Sequence, residues 1–106
     1  MNTSVRVASL LIDLEAELRQ LGLWQTEAPS AEALASQEPF CIDTLSFPQW
    51  LQFVFIERLT SMIAEESPLP TGSRIVPMAE EYFRSRELPV LALLRVLQAL
   101  DRALSD

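Results

Sequence analysis

An all-α fold is predicted for this chain of 106 residues by three observations. Apolar residues recur at three- and four-residue steps in long segments, as on one face of a helix. Pro and Gly fall between those segments or in their first turns, where a helix tolerates them or ends. No segment reads as a strand. The expected architecture is a single domain over residues 1–106, a small four-helix bundle or irregular helical array around a central hydrophobic helix.

The first helix is expected from about Thr3 to Leu21, with Val7, Leu10, Leu11, Leu14, Leu18 and Leu21 on its apolar face. Glu15 and Arg19 support it as an i, i+4 pair, and Gly22 stops it. Gln25 to Glu38, rich in Ala, Ser, Pro and Glu, reads as a mobile connection in which Ser30 caps a turn or two of helix. The central helix should begin at Ser46, which has the capping-box spacing to Gln49, and run to about Glu66. It contains the stretch Thr44 to Ile56, 13 uncharged residues with Phe47, Trp50, Phe53 and Phe55, apolar almost all the way round. Pro68, Pro70 and Gly72 force a loop, Pro77 lies in the first turn of a short helix ending at Phe83, and Pro89 opens the last helix. The face of that last helix is Val90, Leu93, Leu94, Leu97, Leu100 and Leu104.

Charge narrows the function. The net charge is -7, from 15 acids against 8 Arg with no Lys. Phosphate binding relies on clustered cations, so direct binding to nucleic acid is disfavoured. Six of the Arg lie from Val54 onward, so any surface that meets an anion is expected in the second half. Cys41 is the only cysteine, which excludes an intrachain disulfide and fits a reducing, cytoplasmic setting. The uncharged run is well short of the roughly 20 residues needed to span a bilayer, and Pro48 divides it. With no His and only two Gly, Ser-His-Asp and Cys-His catalysis, imidazole metal sites and phosphate-cradling loops are all removed. No cofactor or metal is expected, and no enzymatic activity of the chain alone.

The remaining candidates are charges that break the helical pattern and aromatics in excess of a core. On a helical wheel Arg58 continues the Phe47, Leu51, Val54 side, and Asp101 falls between Leu94 and Leu97. Both are expected to face the core. Arg58 could pair with Asp101 or with Asp43, could lay its stem along apolar surface with its guanidinium in water, or could contact a ligand. Asp43 and Thr44 are expected to shape the entry to the central helix. Trp50, with Met78 as an adaptable neighbour, marks a candidate interaction surface rimmed by Asp43, Glu80 and Glu81.

The string Pro39-Phe40, Asp43-Thr44, Trp50-Leu51-Gln52, Val54, Ile56, Arg58, Leu69-Pro70, Pro77, Glu80 and Leu100-Asp101, with Trp24 before it, resembles the YqcC-like family of small bacterial helical proteins. The resemblance covers most of the chain. Glu57 departs from it, standing where Pro is expected, and implies a straighter central helix or a different partner for the following turn. The family implies a four-helix protein whose gene often neighbours a tRNA pseudouridine synthase, and the synthase name has been attached to some members. Such synthases place a catalytic Asp in a larger, sheet-containing fold, so Asp43, at a helix entry, is not assigned that role. The first expectation is a non-catalytic accessory module that binds another protein, an RNA-modification enzyme being the implied partner; self-association stays open. The second is a pocket between the central and last helices in which Arg58 binds a small carboxylate or phosphate.

Overall fold

Helix α1 spans Thr3–Gln20 and starts where the Asn2 side chain accepts a hydrogen bond from the Val5 N–H at 2.8 Å. The computed structural model describes residues 2–105. After α1 come α2 (Ala31–Leu34), a 3-10 turn at Pro39–Cys41, and a continuous helical run made of α3 (Phe47–Trp50), a π-helical segment (Leu51–Phe55) and α4 (Ile56–Ala64). Then follow α5 (Val76–Phe83) and α6 (Leu91–Ala103), and no strand forms among the described residues. None of the described helices is long and apolar enough to cross a membrane.

Local chemistry sets the ends. Gly22 takes φ 73° after α1, and the Gly22 and Leu23 N–H groups bond back to the carbonyls of Arg19 and Leu18, so the last turn is satisfied without water. At the end of α4 the same motif is built on a non-glycine residue: Glu66 has φ 56°, and the Glu66 and Ser67 N–H groups reach Ile63 and Met62. Ser46 and Gln49 form the expected capping box at the start of α3. The last helix begins at Leu91, two residues later than Pro89 suggests, with Val90 at its cap position. The Gln25 to Glu38 connection, expected to be mobile, is pinned: Gln25 bonds to Gln52 through its backbone, and the Thr44 hydroxyl donates to the Ala33 carbonyl at 2.7 Å.

The core is mainly leucine. Val7, Leu11, Leu14 and Leu18 of α1 meet Leu93, Leu97 and Leu100 of α6 in the most extensive helix contact of the molecule. α4 packs on α1, α5 on α6, and α3 on α5. From the central run Phe47, Leu51, Phe55 and Leu59 join the core cluster and Pro48 is also buried, while Phe53, Val54 and Ile56 are half-buried. Each four-residue step on an α-helix overshoots a full turn by about 40°, so three steps would put Leu59 about 120° away from Phe47. The π-helical segment, in which the Ile56 N–H bonds to the Leu51 carbonyl, has a wider turn that absorbs this drift. It keeps Leu59 in the core and rotates Arg58 outward. Arg58 is therefore exposed, not core-facing as a regular wheel predicts. The run passes through Glu57 unbroken, but the π-segment immediately before it makes it irregular.

Asp101 does point inward, to a different purpose than the one expected. No side chain caps α5 locally. The Asp101 carboxylate, reaching across from α6, accepts the Ile75 N–H and the Val76 N–H at 2.9 Å each and the Ser73 hydroxyl at 2.7 Å. A carboxylate at a helix N-terminus satisfies open N–H donors and complements the helix dipole.

Asp101→Ala is expected to lower unfolding free energy by about 1.5–3 kcal/mol in urea titration, the range for hydrogen bonds to a charged group. Leu97→Ala, at a fully buried site, is expected to cost about 2–5 kcal/mol by the same measurement.

Candidate functional site

Six aromatic rings gather where α3, the π-segment and α5 meet the 3-10 turn. Trp50 stacks on Phe47 (centroids 6.1 Å, 17° between planes) and on Phe55 (5.4 Å, 30°), and Phe40 meets it edge-on at 4.7 Å. Phe47 continues the cluster to Tyr82 and Phe83 of α5. Phe40 is aimed at Trp50 by unusual backbone. It and Cys41 adopt φ 58° and 50°, a left-handed conformation costing about 1–2 kcal/mol per non-glycine residue. Such local strain persists where the surrounding packing over-determines it.

Trp50 is half-buried, and its outer side lines a groove of about 210 Å³. Phe40, Trp50 and Phe55 form an aromatic wall, Leu104 adds an apolar side, and Arg58 and Arg74 are the charged residues of the lining among those described. Among the described residues no carboxylate lines this groove. The rim expected around Trp50 was acidic; the charged residues that line the groove among those described are instead Arg58 and Arg74. Glu80 and Glu81 lie exposed on α5, where Glu81 pairs with Arg84 at 2.8 Å, and Met78 is half-buried against the core; none of the three lines the groove.

The expected Arg58 to Asp101 and Arg58 to Asp43 pairs do not form. Among the described residues the ion pairs are Arg19 with Glu15 and Arg84 with Glu81. Arg58 is exposed, and Asp101 is committed to the start of α5. Asp43 is exposed and accepts a hydrogen bond from the Ser36 hydroxyl, which ties the loop before the central run.

Two residues of this region carry weight that helical periodicity does not reveal. Gln52 is 5% exposed; its amide donates to the Gln25 carbonyl at 2.8 Å and accepts the Gln25 N–H at 2.9 Å, a two-point clamp on the segment after α1. The signal for it is a lone amide inside an otherwise apolar, uncharged run. Arg74 sits in the loop before α5, where no pattern ranks one Arg above another; the neighbouring Ser73 bond to Asp101 holds that loop against α6. Chemically, two guanidinium groups beside an aromatic wall suit a group that joins an anion to a flat or apolar body.

Fold and groove together define a small all-α domain with an arginine-rimmed aromatic site. Residues 6–103 match the DUF446 family, described as tRNA pseudouridine synthase C, and the chain belongs to this YqcC-like family. It is 31% identical over 106 residues to the Uncharacterized protein YqcC of Escherichia coli K12, covering all of this chain and 97% of that one. The solution NMR structure of E. coli YqcC superposes with a TM-score of 0.84 at 34% identity, covering 100% of this chain and 91% of that one. A Haemophilus influenzae protein, named Uncharacterized protein, is 48% identical over 71 residues, 67% of each chain. A Pectobacterium carotovorum protein named tRNA pseudouridine synthase C is 39% identical over 70 residues, which are 66% of this chain but 19% of that protein.

Arg58→Ala is expected to change stability by no more than about 0.5 kcal/mol, as for other exposed positions. Gln52→Leu is expected to cost about 1–3 kcal/mol, because it strands the Gln25 backbone groups. Urea titrations of both variants check the contrast.

Proposed function

We propose that this chain is a non-catalytic, cytoplasmic accessory module that binds a tRNA-modifying enzyme of the pseudouridine synthase class. The observation that carries the reading is the Pectobacterium relative, in which the matched segment makes up 19% of a protein bearing the synthase name. A module tethered to a catalytic chain meets it at high effective concentration, whereas a separate chain needs an interface of its own. Trp50 is the anchor in this reading, since a half-buried indole in a pocket is the kind of residue that dominates binding energy. In the test, the purified chain is titrated into a tRNA pseudouridine synthase from the same organism by calorimetry. A Kd of about 1 μM or tighter is expected, equivalent to about −8 kcal/mol. Trp50→Ala should weaken it at least about tenfold. Absence of any heat or co-elution at high concentration overturns the reading.

A second reading is favoured by the presence of Arg58 and Arg74 on one groove that, among the described residues, no carboxylate lines. Here the ligand is a small anion with a flat apolar body, such as an aromatic carboxylate or phosphate. Saturating ligand raises the melting temperature of any protein that binds it only when folded. A panel of aromatic carboxylates and phosphates is expected to include one that stabilises the wild type and leaves Arg58→Ala unmoved. Equal shifts in both proteins overturn this reading.

A further inference from the structure

A second surface, remote in character from the arginine-rimmed groove, lies between α1 and α4. The start of α1 sits beside the end of α4, and the middle of α1 beside its start, so the two helices run in opposite directions. Along their outer seam are two stretches of groove, of about 260 Å³ and about 400 Å³, which adjoin at Ala8 and Ile63 and together are called the α1/α4 trough. Its apolar lining is Val5, Ala8 and Ile12 from α1 and Ile56 and Ile63 from α4, interspersed with polar residues such as Ser4 and Thr60. Val5 is 52% exposed and Ile12 72%.

This apolar seam is additional to the one that folds the protein. α1 already buries Val7, Leu11, Leu14 and Leu18, and α4 buries Leu59. Positions 5, 8 and 12, like 56 and 63, follow helical spacing, and Val5 to Ile12 spans two turns, about 10 Å. A trough between two antiparallel helices with knobs at that spacing is the complement of a third helix.

The charges select which helix. Among the described residues the charged side chains of the lining are Glu15 and Glu66, toward opposite ends, with no Arg. Glu15 is shared with Arg19. Glu66 lies at the C-terminus of α4, where the helix dipole adds negative potential, so this end in particular favours a cation. The chain's net charge of -7 attracts the same kind of partner from a distance. We propose that the α1/α4 trough seats an amphipathic helix of a basic partner protein, apolar face against Val5, Ile12 and Ile63, with a Lys or Arg directed to Glu66. This inference stands apart from the roles proposed for Trp50 and Arg58.

The probe is a fluorescein-labelled synthetic peptide of about five helical turns, with Leu on one face and Lys on the other, followed by anisotropy at about physiological ionic strength. A peptide with Glu in place of Lys is the charge control. Saturable binding of the Lys peptide is expected, with the Glu peptide at least about tenfold weaker. Ile12→Glu alters an exposed side chain, and circular dichroism checks that it still folds; it adds negative charge, yet should weaken the Lys peptide at least about tenfold by spoiling the apolar seat. Val5→Asp should act in the same direction, and Glu66→Gln should weaken binding severalfold. Tighter or unchanged binding by folded Ile12→Glu overturns the proposal, since attraction would then be net charge alone. Loss on Trp50→Ala with no effect of Ile12→Glu moves the site to the other groove and also overturns it. So does a homodimer, by light scattering, that Ile12→Glu dissolves, because the trough would then be filled by a second copy. Failure of the synthase titration leaves this outcome unaffected, and the converse holds.

Discussion

The constraint on which the rest of the structure depends is the π-helical turn in the middle of the central run. Four large side chains, Phe47, Leu51, Phe55 and Leu59, enter the core at equal four-residue steps, and a regular α-helix cannot keep such a series on one face. Widening the turn over Leu51–Phe55 resolves the conflict. Its effects reach well beyond the helix. It turns Arg58 to the surface, brings Gln52 inside to clamp Gln25, and leaves Trp50 with one side against Phe47 and Phe55 and the other at the groove. The occurrence of π-turns near functional sites is a recognised tendency, and in this fold the turn and the groove share Phe55.

The small surface is divided by charge. The chain is acidic overall, yet among the described residues the charged lining of its aromatic groove is Arg58 and Arg74, and that of its α1/α4 trough is Glu15 and Glu66. Two recesses of opposite electrostatic character on one domain can select different partners, because a like charge brought to either rim is repelled.

Much of the architecture is legible from local signals. The α1 face, the Ser30 cap, the Ser46 and Gln49 capping box and the short helix before Phe83 depend on neighbours three or four residues away, and each occurs as expected. The candidate site is less legible for a physical reason. A wheel of fixed pitch assigns Arg58 to the core, and a single change of pitch upstream moves it out. Asp101 is correctly read as inward, but its partners are backbone N–H groups 25 and 26 residues away, which no side-chain pairing argument would find. Arg74 has no periodic context at all, and Phe40 reaches Trp50 only because two successive non-glycine residues accept left-handed backbone.

The Asp101 carboxylate also has a consequence for how the molecule opens. Helix α5 is 8 residues long and lacks a local side-chain cap, and helices that short do not persist alone in water. Its first N–H groups are held by a side chain that belongs to α6. Any fluctuation that lifts α6 therefore removes the cap, the Ser73 tether and the α5 packing surface together. The two helices are therefore expected to exchange their amide protons as one cooperative unit, with the loop bearing Arg74 organised while that unit is closed.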